Sequence, residues 1–161
     1  REAQAAELRE LGADLVEVFN GSESDAEHFR RHVAEVVGPA GLKYAVDAVG
    51  GRVGSAVIQS LGAGGRMLAF GTLSGEPLQF SPRTLMTAGS QVQGFWLANF
   101  MLQQGLLFKL GLVRRLTNLI QSGVLSSEIA AGYRLDLIRE AVRSAEDSSH
   151  TGKTLLRIAD E

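Results

Sequence analysis

Two short stretches carry residue types whose spacing could do chemistry. The first, "DAVGGRVG" (Asp47 to Gly54), leaves an apolar run, turns on Gly50-Gly51 and continues with helical spacing. A strand that turns on glycines into a helix lets backbone N–H groups approach a ligand, since glycine has no side chain to hold it off. The second is "HFRRH", in which His28 and His32 stand at i, i+4. Two imidazoles on one helical face could chelate a metal. No third ligand is expected nearby, and Arg30 and Arg31 repel a cation, so the pair reads as a solvated face and no metal is expected. His150 sits in a polar loop, and Asp25, Glu27, Glu146 and Asp147 read as caps or surface acids. No nucleophile–base pair stands out, so no residue is assigned a catalytic role.

The glycine turn falls short of a pyrophosphate loop. That loop reads G-x-G-x-x-G and expects an acid about 20 residues on, at the end of the next strand. Here the spacing is G-G-x-x-G (Gly50, Gly51, Gly54), and the acid's place falls near Phe70-Gly71, where there is no carboxylate. Two readings stay open: a plain strand-to-helix turn, and a rim position that admits the edge of a ligand.

Composition narrows the classes. The chain has 161 residues, enough for one domain with a core. A net charge of −2 gives no basic field for nucleic acid or anionic lipid, so neither is an expected partner. Cysteine is absent, which removes disulfides, thiolate catalysis and cysteine-containing zinc sites and fits a reducing compartment. No apolar run reaches the roughly 20 residues that span a bilayer. The most apolar stretch, Phe95 to Leu116, is broken by Gln103, Gln104, Lys109 and Arg114. The start, "REAQAAELRELGAD", is acidic and amphipathic, unlike a secretory or transit peptide. A cytoplasmic location is therefore expected. The chain also opens inside a helical pattern without a Met, and reads as joined partway through a protein.

The elements that position these residues follow from periodicity. Residues 2–11 read as a helix stopped by Gly12, and Leu15 to Phe19 as a strand. A helix capped by Ser24 or Asp25 buries Phe29, Val33, Val36 and Val37 and stops at "GPAG". Leu42 to Val49 is a strand apolar enough to be covered on both faces. Helix Val53–Leu61 follows, closed by the Gly62–Gly65 run, and then strand Arg66 to Gly71. Ser81-Pro82 starts a short helix through Ala88, and Ser90 to Leu97 is the next strand. The stretch to about Gln121 reads as a helix that tertiary packing must hold, since Gly105 and Gly111 each cost about 1 kcal/mol. "YRLDLIREAVRSAED" is a helix capped near Asp136, and "GKTLLRIAD" a last strand. Strands alternating with helices imply an α/β fold, a doubly wound parallel sheet with its ligand outside the carboxyl ends of the strands. Those ends, Val49-Gly50-Gly51, Phe70-Gly71-Thr72-Leu73 and Phe95-Trp96-Leu97, would share one rim.

At this point the sequence resembles a family. "REAQAAELRELGAD", "DAVGG", "GGRMLAFGTLSGEP", "QGFWL" and the terminal "GKTLL" fall in the order and spacing of the medium-chain dehydrogenases and reductases. The "FGTLSG…GFWL" pair is most similar to the quinone oxidoreductase and 2-enoyl thioester reductase branch. The likeness covers essentially the whole chain, residues 1–161, as a partial dinucleotide-binding domain of Rossmann-like fold. It implies that the first two strands, the phosphate loop and the substrate-facing domain with the catalytic tyrosine lie upstream. It also implies that Leu15–Phe19 lacks a partner strand, so that the isolated chain is expected to fold poorly unless another segment holds it.

The resemblance further implies a nicotinamide cofactor, NADP with NAD as the alternative. Val49 and Gly50 would stand beside the nicotinamide ribose, and Phe70, Gly71, Thr72 and Leu73 would run along the ring. Phe95, Trp96 and Leu97 would meet the carboxamide through backbone groups, although Trp96 could equally be an interface aromatic. Lys153 is similar to a lysine that meets the phosphate end, and Arg1 to part of an arginine pair that favours a 2′-phosphate. The implied activity is hydride transfer to a conjugated carbonyl acceptor such as a quinone, enone or enoyl thioester. The alternatives are a zinc-type alcohol dehydrogenase and a non-catalytic module. A homodimer through the Ser90–Leu97 edge strand and a small-molecule substrate are the expected partners.

Overall fold

The structure, a computed structural model, describes residues 2–19, 22–147 and 152–158. They form two compact units, residues 1–103 and 104–161. In the first unit, α1 (Glu2–Glu10) ends before Gly12, which adopts φ +97°. Helix α2 (Glu23–Val37) starts on a capping box: the Ser22 hydroxyl accepts from the Asp25 amide, and the Asp25 carboxylate accepts from the Ser22 amide. The cap is Ser22 rather than Ser24 or Asp25. Of the apolar stripe expected on this helix, Val33 is buried, whereas Val36 and Val37 are exposed.

Three strands follow, β1 (Leu42–Asp47), β2 (Leu61–Ala69) and β3 (Gln91–Gly94), all parallel in the order β1-β2-β3. Helix α3 (Gly51–Gln59) connects the first pair, and α4 (Pro82–Ala88) the second. Ser81 caps α4 as expected, its hydroxyl accepting from the Arg83 amide. Residues 62–65 belong to β2 rather than to a helix stop. Glycines lower strand propensity, but parallel pairing with β1 starts at Leu42–Leu61 and passes a bulge before Tyr44 meets Arg66. Close packing explains Gly62, whose Cβ would overlap the Ala40 carbonyl oxygen, and Gly65, whose Cβ would fall 2.6 Å from the Leu42 carbonyl oxygen, while Gly64 adopts φ +65°.

Register decides which side chains meet. Ala45, Met67 and Val92 are partners in one row, and this row packs on Val57 and Ile58 of α3 and Leu85 of α4. Ile58, Leu61 and Met67 are the buried centre. The neighbouring rows, Tyr44–Arg66–Gln91 and Val46–Leu68–Gln93, point the other way, and Tyr44 and Val46 are 73% and 72% exposed. The first strand, apolar enough for cover on both faces, is thus covered on one. Successive right-handed crossovers advancing in one direction across a sheet put their helices on the same side.

Leu15 to Phe19, expected as a strand, forms no strand in the structure. Strand geometry needs a partner to take its N–H and C=O groups, and β1, β2 and β3 pair only among themselves. Beyond β3 the chain enters α5 (Leu97–Leu102), so β3 is shorter than the expected Ser90–Leu97.

The long helix expected through Gln121 is divided. Its second part, α6 (Leu106–Gln121), opens the second unit with extended Gly105 as its N-cap, and none of its residues is buried. The remainder of that unit is a parallel β–α–β motif: β4 (Ile129–Arg134), α7 (Ile138–Glu146) and β5 (Lys153–Arg157). Tyr133 stands in β4 rather than in a helix. Asp136 pairs with Arg134 instead of capping, and a 3-10 turn over Leu135–Leu137 precedes α7. The final strand ends at Arg157. No helix among the described residues is long and apolar enough to cross a membrane.

Candidate functional site: the rim of strand tips

Asp47, Ala69 and Gly94, the last residues of three parallel strands, lie side by side in register. The chain therefore leaves the sheet at one rim three times. Hydrogen bonds continue the pairing past the strand ends: the Phe70 amide donates to the Asp47 carbonyl at 2.9 Å and the Phe95 amide to the Ala69 carbonyl at 2.8 Å. The loop after β2 then folds back along the first tip. Leu73 N–H donates to the Ala48 carbonyl (3.2 Å), Ser74 N–H to the Val49 carbonyl (2.9 Å), and Gly51 N–H to the Glu76 carbonyl (3.2 Å). The Ser74 hydroxyl also donates to the Val49 carbonyl at 2.8 Å. The expected meeting of Val49-Gly50, Phe70–Leu73 and Phe95 is present.

Gly71 is the tightest point. A Cβ there would fall 2.4 Å from the Ala48 carbonyl oxygen, so only glycine lets the two tips touch. Gly50, with φ +72°, is the N-cap of α3.

Sequence reasoning missed Asp47. Its side chain is 5% exposed and accepts from the Val49 amide at 2.9 Å and the Gly50 amide at 3.1 Å. The signal was available: an acid closing an apolar strand immediately before two glycines. Its effect is chemical. The N–H groups that would cradle a phosphate are already satisfied by a carboxylate, whose charge repels another anion. The failed match to the pyrophosphate fingerprint has this counterpart in space.

Between the tips of β2 and β3 lies a hollow of about 570 Å³, lined by Phe70, Gly71, Thr72, Phe95, Trp96, Phe100 and neighbouring residues. The Phe95 and Phe100 rings lie 5.4 Å apart, tilted by 49°. Trp96 is 70% exposed and Leu73 more so. None of the lining residues is an acid, histidine or lysine. The hollow suits a flat, neutral, partly apolar group, and its lining has neither a proton relay nor a metal ligand. A second hollow of about 430 Å³, lined by Arg30, Arg52 and Glu76 among others, lies beside α2 and α3.

Lys153 is exposed at the first residue of β5 in the second unit and is not among the residues that line the hollow. Arg1 lies outside the described residues. The histidine pair differs from its sequence reading. Glu17, which lies before the helix, is brought against both His28 and His32, so a third ligand is at hand after all. Arg30 bonds Gln59, away from the rings.

Residues 11–156 match the zinc-binding dehydrogenase family. Among curated relatives, the mitochondrial enoyl-[acyl-carrier-protein] reductase of Arabidopsis thaliana is 30% identical over 95 residues, 59% of this chain and 24% of that protein. The chain thus spans about a quarter of the length of the curated relatives it matches. Two mycobacterial structures resemble it. One is of a quinone oxidoreductase (TM-score 0.76, 26% identity, 96% of this chain and 46% of that one), and one is complexed with NADPH (TM-score 0.75, 24%, 98% and 47%). The mitochondrial 2-enoyl thioester reductase heterodimer of Candida tropicalis superposes with TM-score 0.74 at 21% identity, over 98% of this chain and 44% of that one. The chain belongs to the zinc-binding dehydrogenase family, and the proteins and structures it is similar to include a quinone oxidoreductase and enoyl reductases.

Proposed function

We propose that residues 1–161 are part of the dinucleotide-binding domain of an NADPH-dependent reductase acting on a conjugated carbonyl compound: a quinone, an enone or an enoyl thioester. The observation that carries this reading is the glycine-tight contact of two strand tips beside an uncharged, aromatic hollow. The hollow fits a nicotinamide, which when bound supplies the hydride. Gly71 would keep a side chain off the ring and Phe70 and Thr72 would flank it, while Gly50 and Leu73, which do not line the hollow, would stand beside it on the same rim. The Phe95 amide is taken by Ala69 and the Trp96 carbonyl accepts from Phe100, so other backbone groups of Phe95, Trp96 and Leu97 would meet the carboxamide. Val49 borders the ribose. Lys153 and Arg1 would serve the phosphate end, Arg1 favouring NADP over NAD. The catalytic groups would come from outside this chain, because the lining of the hollow offers no acid or base. A small molecule is the substrate, and the proposed compartment is the cytoplasm, although the Arabidopsis relative is named mitochondrial.

The test is NADPH titration of the intact protein, followed by cofactor fluorescence. Saturable binding that Gly71→Ala abolishes supports the reading. Binding indifferent to Gly71→Ala, Trp96→Ala and Leu97→Pro removes it.

A second reading is an association module. β3 is an edge strand, and the exposed Trp96 and Leu97 follow it after Phe95. Pairing of Gln91–Gly94, the part of the expected Ser90–Leu97 strand that forms, with a second copy would bring Trp96 and Leu97 toward a twofold axis, and a dimer at micromolar concentration is its expected signature.

A further inference from the structure

The segment before α2 brings a carboxylate to two imidazoles that no part of the reductase reading uses. His28 and His32 lie one turn apart on α2, with ring centroids 5.9 Å apart. Glu17 Oε2 is 3.6 Å from His28 Nε2, and Glu17 Oε1 lies against His32 Nδ1. The three donor atoms all fall within 4.8 Å of one another. His32 Nδ1 is buried and, although it faces the carboxylate, makes no bond of hydrogen-bond geometry. A buried nitrogen and a carboxylate oxygen aimed at each other need a cation, a proton or a metal, between them.

We propose that Glu17, His28 and His32 form a binding site for a divalent transition-metal cation. Tetrahedral coordination with bonds of about 2.0–2.1 Å puts donor atoms about 3.3 Å apart, so shifts of up to about 1.5 Å in their separations close the site. Two imidazoles and one carboxylate form a borderline donor set that suits Zn²⁺, Co²⁺ or Ni²⁺ and not Mg²⁺ or Ca²⁺. Three protein ligands leave a fourth position for water. Bound metal would fasten residues 13–19 to α2, as the bond from Arg9 Nη2 to the Val16 carbonyl ties them to α1.

Arg31 works against the site. Its Nη2 lies 3.2 Å from His28 Nδ1. While that nitrogen accepts from the guanidinium, a neutral ring carries its proton on Nε2, the atom that must ligate. Metal binding therefore shifts the proton to Nδ1 and displaces Arg31, an exposed side chain. Moderate affinity follows, as does a gain-of-function variant: Arg31→Met removes both the competing donor and the repelling charge.

The experiment titrates the full chain with Zn²⁺ against a chromophoric chelator, with Co²⁺ absorption as the read-out of geometry. One Zn²⁺ per chain is expected, weakened about tenfold or more by His32→Ala or Glu17→Gln and tightened severalfold by Arg31→Met, with excess Mg²⁺ without effect. The sequence has three histidines and no cysteine, so His150→Ala serves as the control and should change nothing. Circular dichroism checks each fold, and His28→Asn, at an exposed position, replaces any variant that unfolds. Absence of saturable uptake by the wild-type chain overturns the site. So does uptake kept by the His28→Ala/His32→Ala pair or abolished by His150→Ala.

Discussion

Gly71 and Ala48 touch where the second strand of the sheet leaves beside the first: a Cβ on Gly71 would lie 2.4 Å from the Ala48 carbonyl oxygen. The clash is with backbone, which cannot rotate aside. Gly71→Ala must therefore part the two tips and loosen the bonds that Leu73 and Ser74 make to Ala48 and Val49. We expect a loss of about 1–3 kcal/mol in urea unfolding together with loss of NADPH binding. Unchanged stability would mean that the tips do not meet as described.

Asp47 gives a separate handle on the same rim. Asp47→Ala leaves the Val49 and Gly50 amides without an acceptor in a buried place and should cost about 1–3 kcal/mol for each unsatisfied group. Asp47→Asn keeps one carbonyl oxygen and should cost less. Denaturant midpoints of the two variants, measured side by side, check the order.

Gly54 owes its identity to that carboxylate. A Cβ there would come 2.5 Å from Asp47 Oδ2 and 2.6 Å from a Leu78 methyl. Gly54→Ala, normally favourable in a helix by about 1 kcal/mol, should here lower the thermal midpoint, and the double change Gly54→Ala/Asp47→Ala should be less than additive.

Trp96 separates the two readings of the rim. Being largely exposed, it can be truncated with little effect on folding. In the nicotinamide reading, Trp96→Ala raises the NADPH dissociation constant and leaves light-scattering mass unchanged. In the association reading it lowers the mass and spares the cofactor.

The 161 residues alone, mixed with NADPH and a quinone, should show no turnover, since the hollow is lined by no acid–base group. Appreciable steady-state oxidation of NADPH by the pure chain would contradict the proposed division of labour.

The alternation of strands and helices, the glycine turn after Asp47 and the Ser81-Pro82 helix start were legible because each is set by local backbone preference or by spacing along a few residues. Those signals fixed an α/β chain and named the three tips. Pairing was not local. Residues 62–65 joined a strand because β1 lay alongside. Leu15–Phe19 did not join one because no strand lay beside it, and Ile129–Arg134 became a strand through a partner more than twenty residues on. The site divides in the same way. Glycines announced where backbones approach, but only the fold could bring Asp47 under the turn amides and carry Glu17 to His28 and His32. Periodicity records which way a residue faces; what it faces depends on segments that sequence spacing does not connect.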